Sequence, residues 1–206
     1  MNTFKNITLK TFTAFHHCFL AVASACMVVV FTLALITMKT AYASNLDSDS
    51  HSDHLATLKS VGQGEFTWFG FSVYQASLWT RNGRFTNLGE SMPIALAITY
   101  QKEIDGDALT ERTIEEWERL GIYSEQERVK WRKKLKQIWP DVKPGDNITT
   151  LVTSEKTTRF YFNDKLLAVL DDPSFGDALL SIWLHPDTSE PGLREKLLGK
   201  RENLHD

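Results

Sequence analysis

Residues 62–79 read GQGEFTWFGFSVYQASLW, and this stretch decides the fold. Side chains alternate along a strand, so Phe69, Phe71, Val73 and Trp79 are expected on one face. Phe66, Trp68, Tyr74, Ala76 and Leu78 then fall on the other. A strand of a solvated one-layer sheet shows polar residues on one side. This one is apolar on both and needs cover on both: helices on one side, another element or a ligand on the other.

Outward from it, residues 55–61 begin a first strand, and residues 65–80 continue as one long strand or a bent pair. Asn82-Gly83 signals a two-residue hairpin, with a short return strand from Arg84. Residues 92–102 form the next strand. Met92, Ile94, Leu96, Ile98 and Tyr100 make its large face. Ala95, Ala97 and Thr99 make a small one, which leaves room for a close helix or a bound molecule.

Two helices follow. Residues 105–121 place Leu109, Ile114, Trp117 and Leu120 at helical spacing, and Gly121 stops the run. Ser124 with Glu127 forms a capping box, and the helix it opens runs to Trp139, where Pro140 ends it. Trp131, Leu135, Ile138 and Trp139 form that helix's apolar stripe. Arg128, Lys130, Arg132, Lys133, Lys134 and Lys136 lie elsewhere on it. They read as a solvated face, with weak contact to an anionic membrane surface or a partner as the alternative. Strands at 148–153, 157–162 and 165–170 make a meander. A helix from Phe175 through Trp183 and a short one at 191–198 close the chain. An antiparallel sheet with its helices gathered on one side is an α+β domain.

The ends and the composition bound the function. Residues 1–17 carry Lys5 and Lys10 and no acid, residues 18–38 are almost unbroken apolar, and Ala41-Tyr42-Ala43 precedes Ser44. That is a signal peptide cleaved after Ala43, for a periplasmic or secreted protein, with an uncleaved membrane anchor as the alternative. Residues 44–56 read as a disordered polar leader, 57–200 as the domain and 201–206 as a tail. His51 and His54 lie in that leader, which lacks the fixed geometry of a metal site. Both cysteines, Cys18 and Cys26, lie in the removed segment, so Cys-based catalysis and disulfides are excluded from the rest. The whole chain has 23 Lys+Arg against 26 Asp+Glu, and residues 1–43 hold three of the lysines and no acid. The remaining 20 against 26, a net of −6, argues against nucleic acid as a partner.

Three segments in order carry a family resemblance. They are residues 62–79, the strand-to-helix passage 94–109, and FGDALLSIWL at 175–184 with LREKLLG at 193–199. Together they resemble the bacterial chalcone isomerase-like family over roughly residues 58–200. The resemblance implies an open-faced β-sandwich, in which a curved antiparallel sheet carries a helical layer on one side. In plant members an Arg steadies a phenolate while a Thr and a Tyr polarise a ketone. The resemblance puts those positions near Gln63, near Phe69 and near Ala108 or Leu109, none of which carries the required group. Buried phenolate without a cation is costly. Fatty-acid-binding relatives share the fold and hold a carboxylate with an Arg and a Tyr.

The expected function is therefore non-catalytic: an exported domain that binds a small apolar or amphipathic, fatty-acid-like ligand between sheet and helices. An intramolecular lyase of the chalcone isomerase type is the alternative activity. No cofactor or metal is expected. Gln63, Phe69, Tyr74, Thr99, Tyr100, Ser181 and Trp183 are the candidate ligand contacts. Each has a packing alternative: Gln63 as an edge residue, Tyr74 and Tyr100 as core tyrosines with satisfied hydroxyls, Trp183 as core. His185 reads as a cap on helix-end carbonyls, since Ser181, His185 and Asp187 are too close in sequence to form a triad.

Overall fold

The computed structural model describes residues 55–200. The expected signal peptide, the expected leader up to residue 54 and the expected tail after residue 200 lie outside the described residues. Strands β1 (Lys59–Trp68), β2 (Phe71–Thr80) and β3 (Ile94–Tyr100) are followed by helices α1 (Gly106–Leu120) and α2 (Glu125–Ile138). Strands β4 (Asn147–Val152), β5 (Thr158–Phe162) and β6 (Lys165–Leu170) come next, then helices α3 (Phe175–Leu184) and α4 (Pro191–Leu197). The six strands form one sheet in sequence order, every neighbouring pair antiparallel. This is the α+β architecture expected from the pattern.

Two expectations about the strands need correction. The stretch at 65–80 is neither one strand nor a bent pair but a tight hairpin. Phe69 (φ 47°) and Gly70 (φ 78°) form its two-residue turn, both in the left-handed region of a type I′ turn. Phe is a poor residue for that conformation, so the turn carried only half of its usual sequence signal. At Asn82-Gly83 the chain does bend, held by the Asn82 side chain, which accepts the Arg84 N–H at 3.1 Å. No return strand follows, and β2 pairs directly with β3 across residues 81–93.

The main core lies between the sheet and the four helices. It holds Leu78 of β2, Leu96 of β3, Val152 of β4 and Phe160 of β5 against Trp117, Trp131, Phe175 and Leu197 from the helices. Trp117, Trp131 and Phe175 meet edge to face, with ring centroids 5.2–6.1 Å apart. The Trp117 Nε1–H donates to the Ala178 carbonyl at 2.7 Å, so this fully buried indole leaves no polar atom unpaired. The other face of the sheet has a smaller cluster of Leu58, Ala95, Leu151 and Tyr161, bordered by Trp79. The centre of the sheet is thus apolar on both faces, while the hairpin tip is not covered: Trp68, Phe69 and Phe71 are exposed.

Glycines at the start of the decisive stretch let α4 lie on β1. A Cβ on Gly62 would sit 2.1 Å from the Lys196 carbonyl oxygen, and one on Gly64 would sit 2.7 Å from Leu193 Cδ1. Helix and strand therefore meet backbone to backbone at this point. The capping box of α2 is complete: Ser124 Oγ accepts the Glu127 N–H, and the Glu127 carboxylate accepts the Ser124 N–H at 2.8 Å. Much of the basic face of α2 is engaged within the molecule. Lys130 bonds Asp172 at 2.8 Å, Arg132 pairs with Glu111, and Lys136 with Asp107 and Glu111.

Candidate functional site

A cavity of about 410 Å³ opens between the inner face of β1–β4 and helices α1 and α3. That volume lies in the range of small-molecule sites. Its wall is mainly apolar, with Phe66, Val73, Ile98, Leu109, Ile148 and Leu179 among the lining residues. The strand pattern explains why. In β3 the large side chains Ile98 and Tyr100 face the helices, and in β4 Ile148 and Thr150 do the same. A register irregularity adds to the wall. Phe66 pairs with Tyr74 but Thr67 with Ser72, which leaves Val73 as an extra residue on β2. Such a bulge re-aims its neighbours, and both Val73 and Tyr74 line the cavity.

Of the expected contacts, Tyr74, Tyr100 and Trp183 lie on this wall. The Trp183 Nε1–H donates to the Tyr74 hydroxyl at 3.0 Å, tying α3 to β2. Burial pushes the Tyr74 phenol up to about 12, with the Trp183 bond pulling the other way. Burial also raises Tyr100, and its proximity to Tyr74 adds to the effect. Both hydroxyls therefore remain protonated donors near neutrality. Tyr100 is 6% exposed, and among the described residues its hydroxyl has no hydrogen-bond partner. The expectation of satisfied hydroxyls thus holds for Tyr74 and not for Tyr100.

Gln63, Phe69, Thr99 and Ser181 are not on the cavity wall, each for a physical reason. Gln63 sits on β1 opposite Ser77 and is exposed, because Gly62 and Gly64 on either side of it take the face that meets α4. Phe69 occupies the hairpin turn and is 84% exposed. Thr99 belongs to the small face of β3, which looks away from the helices. There its hydroxyl accepts from Asn147 Nδ2 at 3.0 Å. The space left by Ala95, Ala97 and Thr99 is therefore not the ligand space. Ser181 donates to the Asp177 carbonyl one turn back, at 2.7 Å. His185 differs in detail from a carbonyl cap: its backbone N–H bonds the Ser181 carbonyl, while Nδ1 accepts the Asp187 N–H.

One end of the cavity is polar, and the residues that make it were not among the expected contacts. Arg112, Glu116, Ser189 and Glu190 line it. Glu116 is 3% exposed, and burial of a carboxylate is costly unless it is paired and hydrogen-bonded. Its partners are Arg112 Nη2 at 2.5 Å, Arg119 Nε at 2.9 Å and the Ser189 hydroxyl at 2.9 Å. Arg112 also reaches Glu115 at 3.2 Å. Burial raises Glu190, and the Glu116 charge raises it further against a smaller opposing pull from Arg112. A signal for part of this end existed in the sequence. Leu109, Arg112, Thr113 and Glu116 share one side of α1 by the i, i+3, i+4 rule, so charged groups sit at the edge of an apolar stripe. For Ser189 and Glu190, in the link before α4, no such pattern was available.

Among the described residues, no group of three or more His, Cys, Asp or Glu is placed to hold a metal ion. No helix among them is long and apolar enough to cross a membrane.

Comparison with known proteins agrees with this architecture. A family model described as chalcone isomerase-like matches residues 44–199. An uncharacterised protein of Haemophilus influenzae is 29% identical over 146 residues, which span 71% of this chain and 70% of that protein. Among solved structures, the crystal structure of a fatty-acid binding protein of Arabidopsis thaliana superposes with a TM-score of 0.51. The superposition covers 69% of this chain and 87% of the plant protein at 10% identity. At that identity the likeness is one of fold.

Proposed function

The chain belongs to the chalcone isomerase-like family, and on that premise we propose that it is a non-catalytic binding protein. It holds a small apolar or amphipathic molecule between sheet and helices. The observation that carries this reading is the cavity itself: a mainly apolar wall ending in a few converging polar groups. An apolar guest entering such a space removes its own surface from water at about 25 cal/mol per Å². The likeness of fold to a plant protein that binds fatty acids supports the same reading.

The chemistry of the wall favours binding over isomerisation. A phenolate intermediate needs a cation free to accompany it. Arg112, the cation on the wall, is already shared between Glu115 and Glu116. The two phenols that could polarise a ketone are donors of hydrogen bonds, which serves binding equally well.

We further place the protein outside the cytoplasm, with residues 1–43 removed. N-terminal sequencing of the protein recovered from its source cells should begin at Ser44. Native mass spectrometry of the same material tests the binding reading. It should retain an added mass of a few hundred daltons that organic extraction removes. Ala108 lies exposed at the cavity and can be enlarged without disturbing the core. Ala108→Trp should therefore fold normally and lose the added mass. Protein recovered empty, and unable to take up any ten-carbon amphiphile, would sink the proposal.

A further inference from the structure

Resting on that binding reading, the polar end of the cavity says which head group its occupant carries. Two of the three charged side chains on the wall are acidic, Glu116 and Glu190, and one is basic, Arg112. Arg119 and Glu115 stand just outside, one of each sign, and leave the balance negative. Arg112 is not a free anchor for an anion. Its two terminal nitrogens already meet Glu115 and Glu116, and Glu116 is held in place by Arg119 and Ser189 as well. An incoming carboxylate would have to displace one of these partners. Displacing Glu116 would take from a buried carboxylate one of its two charge partners, which is costly.

Besides the Trp139 Nε1–H, which is buried without a partner among the described residues, three polar atoms of the wall remain to be satisfied. The Glu190 carboxylate makes no hydrogen bond or ion pair among the described residues, although Glu190 is partly buried on the cavity wall. The Tyr100 hydroxyl, on a side chain more than nine-tenths buried, has no partner among them either. The Tyr74 hydroxyl accepts from Trp183 but has no acceptor among them for its own proton. The unmet needs of these three are thus two donors and one anionic acceptor. A hydroxyl or an amide both accepts and donates, so it can answer the phenols with its oxygen and Glu190 with its O–H or N–H. A carboxylate answers the phenols alone and sets like charges side by side at Glu190.

We propose that the cavity selects an amphiphile with an uncharged hydroxyl- or amide-type head, received by Tyr74, Tyr100 and Glu190, over the corresponding carboxylate. The wall indoles Trp68, Trp139 and Trp183 supply the readout. Quenching of their fluorescence would be titrated with 1-decanol, decanamide and decanoate, each below its aggregation limit, at pH 7.5. The two neutral probes should bind on the order of ten-fold more tightly than decanoate, as expected for a desolvated like-charge contact. Glu190→Gln should raise decanoate affinity several-fold and bring the ratio of decanol to decanoate affinity towards one. Decanoate binding as tightly as decanol in the wild-type protein overturns the head-group assignment while leaving the binding site intact. A preference that survives Glu190→Gln unchanged overturns it too. If none of the three probes binds, the binding reading fails and takes this inference with it.

Discussion

At the scale of single residues, Tyr74 joins stability to the site. It is a wall residue of the cavity, yet its hydroxyl also closes a bond from Trp183 that fastens α3 to β2. Its phenol is raised to about 12, chiefly by burial, against 10.0 for an unburied tyrosine. Because the folded-state value lies above the unfolded one, the neutral phenol's contribution is complete below pH 10. It is lost as pH rises from 10 towards 12. Two units correspond to about 3 kcal/mol, and Tyr100, raised in the same direction, adds to the loss. Urea unfolding midpoints should therefore fall steeply between pH 10 and 12, and Tyr74→Phe should make that decline shallower. At pH 7 the same variant should cost about 1 kcal/mol, since it leaves the Trp183 N–H without its acceptor. Parallel alkaline limbs in the two proteins would show that Tyr74 does not titrate in this window.

At the scale of elements, the β1–β2 hairpin is where reading the sequence and seeing the structure part most clearly. Alternation correctly sorted Tyr74, Ala76 and Leu78 from Trp79, but it misplaced Val73, which the bulge in β2 brings to the cavity wall beside Tyr74. It could not place the turn. A Phe at φ 47° breaks the usual turn chemistry, and the aromatic run Trp68-Phe69-Gly70-Phe71 looks like buried strand. The opposite error occurred at Asn82-Gly83, where turn chemistry is ideal but nothing returns to pair. Local dipeptides specify a bend, whereas pairing is decided by which strand has a matching apolar face, and β3 does. The strained tip leads to a testable consequence. Asn tolerates the left-handed region better than Phe, and Asn-Gly suits a type I′ turn. Phe69→Asn should therefore raise stability by about 0.5–1 kcal/mol, even after losing the 5.2 Å contact between the Trp68 and Phe69 rings. A higher denaturation midpoint with an unchanged slope is the expected result. A lower midpoint would mean that the aromatic tip contributes more than its turn strain removes.

At the scale of the whole molecule, the layer order was legible, because helical and strand periods alternate in blocks and caps such as Ser124 mark the joints. The site was legible where it is built from strands and, through Trp183, at one point of α3. Tyr74 and Tyr100 emerge from alternation. Arg112 and Glu116 pair locally across one turn of α1, but Glu190 joins them only when the link before α4 closes over the sheet, a tertiary event without a local signature. That closure makes the cavity part of the folded state alone, so an occupant must stabilise the fold by mass action. At a free concentration one hundred times its dissociation constant, a ligand adds about 2.7 kcal/mol. For a chain of this size each kcal/mol moves the melting temperature by about 2–4 °C. Saturating 1-decanol should thus raise the melting temperature of delipidated protein by about 5–10 °C in differential scanning calorimetry. Ala108→Trp should melt close to the unliganded wild type and show no shift, because the added indole fills the space that the chain of the ligand would take. A shift of equal size in the variant would place the bound molecule elsewhere on the protein and separate the cavity from its supposed role.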